Sequence, residues 1–316
     1  SSARLIWLAN ERMQLTWLIG APIHAGLGSP ASRRATRPRL TRHAADASRW
    51  AAPAASRGGS MLDQDIAIEF LNRHITPLMF RFRKGNTRAP LVVTCFVMSV
   101  SGHWFLVTAG HCISTIEEIQ ESGYEIENCQ LVDSMRTGTV DQMPLPFVYD
   151  KSRTFRLSED LALDFGVIYL SNYYRALLEM NGIKPLSETV WKKQPESVDF
   201  YKLLGVPSQL TKEVDSQVVF STTLHPVERL SEKPEGFRHT DIPQFYGKVY
   251  LDDEVTSIEG MSGGPIFAFR RDSDGLRYWL VAIQSRWLPE SQSIAACPTD
   301  ILGGALSNLL SRLEGE

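Results

Sequence analysis

The chain has few of the features that would assign it at once to a special class. It holds four cysteines in 316 residues, at positions 95, 112, 129 and 297, with no C-x-x-C pair. That excludes a disulfide scaffold and the common zinc frameworks, so no metal site is expected. Its longest apolar stretch, Leu15 to Gly28, is broken by Pro22 and His24 and is too short for a spanning helix, so no membrane span is expected. There is no N-x-[ST] acceptor and no internal repeat, and the first 60 residues contain no lysine. Apolar residues make up 43% and charged residues 22%, values near those of ordinary globular domains.

Charge is unevenly placed. Residues 1–60 carry nine arginines against Glu11 and Asp46, a local +7, which leaves the remaining 256 residues at −10. A body of that sign repels phosphate backbones, and no nucleic-acid partner is expected. Residues 29–60 are Ala, Arg, Ser and Pro without apolar periodicity. Such a segment cannot bury enough surface to offset its chain entropy. Residues 1–60 are therefore read as a basic, disordered or non-native leader whose removal should not disturb folding. The weak likenesses of this leader to a secretory signal or a transit peptide leave a cytoplasmic location slightly favoured.

From Met61 onward the pattern is that of a folded protein. Helical spacing runs from Ile66 to Ile75, and Leu91–Val100 and Trp104–Thr108 flank a Ser101-Gly102-His103 turn as a hairpin. A short helix is expected at Ile113–Ile119, and another over Asn172–Asn181, stopped by Gly182. Further strands are expected at Phe165–Leu170, Phe200–Val206, Gln217–Thr222, Gly247–Leu251, Gly264–Arg270 and Arg277–Ser285, the last two joined by a hairpin turn at Arg271–Gly275. Many short strands and few helices point to an all-β fold.

Three segments carry the chemistry: Leu106-Val-Thr-Ala-Gly-His-Cys112, Asp164-Phe-Gly-Val-Ile-Tyr-Leu170 and Gly260-Met-Ser-Gly-Gly-Pro265. A serine among three glycines lets backbone approach a substrate closely and turn N–H groups toward a developing oxyanion. The third segment also satisfies G-x-S-x-G, the nucleophile elbow, but an elbow enzyme needs a histidine after its serine. All seven histidines, at 24, 43, 74, 103, 111, 225 and 239, precede Ser262. The subtilisin order requires an aspartate before the histidine, and only Asp46, Asp63 and Asp65 precede His111.

The remaining order is histidine, aspartate, serine, and on these three motifs the chain resembles the chymotrypsin/trypsin-like serine peptidases. Its nearest flavour, with Leu204-Gly-Val-Pro207 and no activation sequence, is that of compact prokaryotic trypsin-like peptidase domains. The resemblance covers roughly Leu91 to Leu302. It implies two antiparallel six-stranded β-barrels with few short helices, one over residues 61–185 and one over 186–316. It also implies a serine endopeptidase that needs no cofactor, works through an acyl-enzyme and takes a protein or peptide as partner. Ser262 would be the nucleophile, His111 its base and Asp164 the residue that orients the imidazole, with Asp160 an alternative. Gly260 and Ser262 would supply the oxyanion N–H groups, and Ser285 would support the aspartate.

The primary pocket would be lined by Thr256 and Ser257 and walled by Ser285, Arg286 and Trp287. With no acid at its base, it should favour small or medium uncharged side chains over Arg or Lys. Many family members carry a bridge where Cys95 and Cys112 lie, yet simple hairpin pairing sets residue 95 opposite 108, so bridged and free thiols both stay open. Met261 stands where zymogen-type relatives have an aspartate that pairs with a new N-terminus, so control by such cleavage is not expected. Outside these motifs, His103 and His225 are read as solvated loop residues, Tyr173 and Tyr174 as packing residues, and Asp252–Glu254 as a solvated acidic loop. Two other readings remain: a catalytically silent peptide-binding module on the same fold, and an esterase-like acyl hydrolase.

Overall fold

The computed structural model describes residues 49–50, 68–134, 143–157, 163–215, 217–273 and 275–314. Its first strand, β1 (Arg49–Trp50), lies inside the segment expected to stay outside the fold. It pairs antiparallel with residues 276–277 of a late strand, where an unclaimed edge accepts its backbone groups. The rest of the leader, and the alternative Asp160, lie outside the described residues.

After a helical turn at 68–72, the first half builds β2 (Leu78–Lys84), β3 (Thr87–Val93), β4 (Phe96–Val100), β5 (His103–Thr108), α1 (Gly110–Glu121), β6 (Glu125–Leu131), β7 (Leu145–Pro146), β8 (Thr154–Leu157), β9 (Phe165–Leu170) and α2 (Asn172–Met180). The strands form two four-stranded sheets, ordered β3-β2-β6-β7 and β4-β5-β9-β8. The expected single strand from Leu91 to Val100 is cut at Thr94-Cys95, where the chain passes from one sheet to the other. The two sheets share one core. Alternate residues Leu78, Phe80 and Phe82 of β2 face Leu106 of β5, Ile168 of β9 and Ile113 and Ile116 of α1 across it.

The second half contains α3 (Glu188–Trp191), β10 (Phe200–Gly205), the hairpin β11 (Lys212–Val214) and β12 (Gln217–Val219), β13 (Thr223–Arg229), β14 (Phe245–Val249), β15 (Pro265–Asp272), β16 (Gly275–Leu288), β17 (Ser293–Pro298) and α4 (Thr299–Glu314). Here six strands close into a barrel in the order β16-β15-β10-β13-β14-β17, because β16 pairs with β17 as well as β15. The fold is thus all-β, as the chymotrypsin-like expectation has it, with the second barrel closed by its hydrogen bonds and the first built from two facing sheets.

A further core spans both halves, with Phe96, Met98, Phe165 and Val167 from the first and Trp191, Leu204, Phe267, Leu280 and Leu302 from the second. His74 adds a polar tie. Its Nδ1–H donates to Lys184 O at 2.6 Å and its Nε2 accepts from Tyr278 OH at 2.9 Å.

Several elements escaped the periodicity reading. β2, β6, β13, β17 and α4 were not anticipated, although Leu78, Phe80 and Phe82 of β2 do alternate into the core. His225, expected in a solvated loop, stands on β13 opposite Leu203 and is buried. His103 opens β5 and packs against Tyr169. Tyr174 packs on Phe147 as expected, but Tyr173 is exposed on the outer face of α2. Asp252–Glu254 is exposed, as read. All four cysteines are free thiols; Cys95 sits where the β4–β5 register would set it against Thr108. No helix among the described residues is long and apolar enough to cross a membrane.

The β1 pairing sets an upper limit on what the leader contributes. Two ladder bonds contribute about 1–3 kcal/mol, mostly cancelled by the entropy of ordering the strand. Truncation to residue 61 is expected to lower Tm by less than about 4 °C in a scanning calorimetry experiment. A fall of about ten degrees would make the leader an integral part of the fold.

Candidate active site

The helix start at Thr108-Ala-Gly-His-Cys112 has a local deficiency. A helix leaves its first N–H groups without internal acceptors, and the N-cap Ala109 has no side-chain oxygen to offer. Asp164, arriving just before β9, supplies it. Its Oδ1 accepts the backbone N–H of His111 at 2.7 Å, and its Oδ2 accepts His111 Nδ1–H at 2.6 Å. A third donor comes from the second half: Ser285 Oγ–H bonds Oδ2 at 2.5 Å. The carboxylate is 2% exposed. An ionised carboxylate only accepts, so in the neutral imidazole the proton sits on Nδ1 and Nε2 is left as an acceptor.

These contacts shift both groups. Burial opposes charge on His111, but the hydrogen bond to Asp164 together with the neighbouring Cys112 outweighs it and raises the imidazole above its usual value. Burial likewise opposes charge on Asp164, and the donors from His111 and Ser285 overcome it, holding the carboxyl below the usual range.

Space decides how the histidine is brought to the aspartate. Gly166, two residues after Asp164, lies under α1: a Cβ there would fall 2.7 Å from Ala109 O and 2.8 Å from Ile113 Cγ1. Only a glycine lets β9 approach the helix start this closely.

Ser262 is held by its neighbours. Met261 is fully buried in the second barrel against Gly205, with Thr223 Oγ1 at 3.8 Å from its sulfur. Gly263 N–H donates to Gln284 O at 2.8 Å, and Gln284 N–H returns a bond to Gly264 O at 2.9 Å, tethering the serine to the residue before Ser285. Gly263, at φ +88°, presses on the first half: a Cβ would fall 2.2 Å from Thr108 Oγ1 and 2.7 Å from Ala109 N. Ser262 O lies 3.7 Å from the thiol of Cys112, next to His111. Ser262 therefore reaches the histidine's side through backbone juxtaposition, and its Oγ is not hydrogen-bonded to His111. Such bonds are commonly loose before substrate binds.

The peptide units before the serine are pinned in a definite sense. Glu259 O accepts Ser208 N–H at 2.6 Å, and a trans-planar peptide then points Gly260 N–H the opposite way. Gly260 O accepts from Thr94 Oγ1 at 2.8 Å, and Thr94 Oγ1 in turn accepts Val206 N–H at 3.0 Å. Met261 N–H is used by Ile258 O. Gly260 N–H and Ser262 N–H have no acceptor among the described residues, so two backbone donors flank the nucleophile candidate unclaimed. Thr94, Ser208 and Gln209 were missed in the sequence. A lone threonine between strands and a Ser-Gln after Pro207 carry no pattern that marks them.

The expected pocket residues do not all meet. Gln209 Oε1 accepts both Thr256 N–H at 3.1 Å and Thr256 Oγ1–H at 3.2 Å, while its Nε2 donates to Glu254 O at 2.8 Å, so Thr256 is braced from outside and stays exposed. Ser257 Oγ accepts Glu259 N–H at 3.2 Å. Ser285 sits at a bulge: Gln284 pairs with Ala296 and Arg286 with Ala295, leaving Ser285 as the extra residue whose hydroxyl is turned to Asp164. Beyond it, successive side chains take opposite faces. Trp287 packs on the core that holds Ile258 and Met261, so it fills the barrel end, and Arg286 faces away from it. These two do not wall one pocket together. Among the described residues no group of three or more His, Cys, Asp or Glu is placed to hold a metal ion.

No protein-family model matches the chain, and no curated protein matches it by sequence. Solved structures similar in chain path are described as proteases or, in one case, an inactivated protease paralogue. A thermostable serine protease AL20 from an extremophilic microorganism shares 12% identity, with 76% of this chain and 97% of that one covered at a TM-score of 0.45. The Rv3671c protease from M. tuberculosis, in its active form, shares 14% identity over 90% of this chain and 94% of its own, at 0.41. A scabies mite inactivated protease paralogue shares 15% over 76% and 94%, at 0.43. Similarity this low carries no residue role over to this chain.

Two experiments read the geometry. Gly166→Ala is expected to cost about 1–3 kcal/mol in urea unfolding by forcing α1 from β9; an unchanged midpoint would contradict the close approach. In an NMR titration of the full chain, the His111 imidazole is expected to titrate above 6.5, and Asp164→Asn to bring it down toward that value. A wild-type midpoint below 6.5 would contradict the pairing.

Proposed function

We propose that the chain is a serine endopeptidase acting through Ser262, His111 and Asp164. One observation carries the reading: a serine flanked by two unclaimed backbone N–H donors is packed against the helix start that bears an aspartate-locked histidine. In this mechanism His111 Nε2 takes the proton of Ser262 Oγ as the oxygen attacks the substrate carbonyl. The carbonyl oxygen becomes an anion received by Gly260 N–H and Ser262 N–H. Asp164 keeps the imidazole in the useful tautomer and stabilises the imidazolium, while Ser285 holds the carboxylate. The leaving amine takes the proton from His111, and water repeats the sequence to free the acyl-enzyme. The bonds from Ser208 and Thr94 hold the oxyanion loop without a new N-terminus, and buried Met261 anchors it by packing. The intact chain is therefore the active form. The absence of an acid at Thr256 favours an uncharged residue at the primary position.

Ser262→Ala is expected to lower turnover by several orders of magnitude with Tm unchanged. A fluorophosphonate should label one equivalent of uncut full-length chain, verified by intact mass. Residual peptide hydrolysis within tenfold of wild type in the variant would overturn the mechanism. Labelling that appears only after nicking would overturn the preformed oxyanion loop. Labelling and ester hydrolysis without cleavage of any peptide would favour the acyl hydrolase reading, and no labelling under any condition the silent binding module.

A further inference from the structure

A cavity of about 610 Å³ is lined largely by the loop that joins β13 to β14. Its lining includes Arg229, Lys233 and His239 and no carboxylate. Among the described residues neither long cation has a carboxylate partner. Arg229 lies over the Phe245 ring at 5.5 Å, and Lys233 donates to Phe237 O at 2.7 Å. By contrast Arg88, Arg156, Arg175, Lys192, Arg270 and Arg277 each pair with an acid. Glu232, Glu235 and Asp241 of the same loop are exposed and lie outside the lining.

Strand register places this cavity relative to the triad residues. Arg286, Ala295 and Tyr246 are direct neighbours on β16, β17 and β14, so they share a face, and Tyr246 lines the cavity. Two strand spacings separate Tyr246 from Arg286 by about 10 Å, a distance that an extended peptide crosses in about three residues. Gln244, also on the lining, accepts from the thiol of Cys297 at 3.6 Å, and that sulfur accepts Asp164 N–H at 3.2 Å. Arg286, directly after Ser285, adds a buried Nε–H with no acceptor on the way. Over residues 61–316 the chain carries −10, so this row of cations runs against the sign of the surrounding surface.

We infer that the cavity receives an acidic side chain of the peptide substrate, about three residues along from the one that lies at Arg286. The inference rests on the peptidase reading and adds a substrate class to it. A carboxylate there meets two cations that no carboxylate among the described residues neutralises, while a neutral side chain forgoes that attraction.

The test uses full-length protein and peptide pairs that differ by Glu against Gln at one position at a time. At a single position Glu is expected to raise kcat/KM about tenfold over Gln, chiefly through KM, and the advantage should shrink at high salt. Arg229→Ala with Lys233→Ala should erase it while Gln substrates are cut at the wild-type rate, and Arg229→Lys should restore part of it. Equal cleavage of Glu and Gln peptides at every position, or a preference that survives the double variant, overturns the inference. If no peptide is cleaved and Ser262 takes no fluorophosphonate, the peptidase reading has failed. Calorimetric binding of the same pairs to the unaltered chain then decides the cavity alone: tighter binding of the Glu peptide, lost in the double variant, supports it, and equal binding overturns it.

Discussion

A single buried carboxylate organises this molecule. Asp164 accepts a helix-start N–H and an imidazole N–H, both from His111, and a serine hydroxyl from Ser285, so its donors come from two distant stretches of chain. An ionised group so little exposed is tolerated only when its oxygens are satisfied, and removing one partner of such a buried pair typically costs about 3–5 kcal/mol. The same contacts that make Asp164 tolerable inside the protein fix the tautomer of His111 and join the second barrel to the first. The candidate site and the joining of the two halves depend here on one desolvated charge.

The serine side is built on a different principle. No charge holds the loop from Glu259 to Gly264; backbone groups and small residues do. Its carbonyls are claimed by Ser208 and Thr94, and Gly263 fits where no other side chain would. What matters chemically is what those claims leave over, namely the N–H groups of Gly260 and Ser262. Met261 serves by burial, where an ion pair would have demanded a freed terminus. Gln209 extends the same bracing to Thr256, so the loop before the serine is held from its outer side by one amide.

The site lies where the two halves meet because the first half needs a donor that the second supplies. Within the first half α1 lacks a cap and receives Asp164, and Asp164 in turn receives Ser285 from β16 of the second. A bulge in β16 turns that hydroxyl inward, a rearrangement worth one residue of register. Tyr246 of the cationic cavity lies on the same sheet, two strands farther along from Arg286, so a β surface connects the Ser285 bulge with the cavity.

The sequence alone determined the all-β class, the Ser101-Gly102 and Arg271–Gly275 hairpins, the helix at Asn172, and the three short motifs, because each depends on local chemistry: alternation, turn glycines, and a serine set among glycines. It also fixed the order His111, Asp164, Ser262, which excludes the rival arrangements. Only the tertiary structure decided the rest. Thr94, Ser208 and Gln209 act through hydrogen bonds to residues 45–166 positions away, which leave no periodic trace. Arg49–Trp50 finds a strand edge no composition reveals, and His225 is buried because a barrel closes over it. Of the expected pocket residues, Arg286 and Trp287 separate because strand alternation beyond the bulge sends them to opposite faces. Local propensity travels along the chain. Partners distant in sequence are chosen by packing, which exists only once the chain has folded.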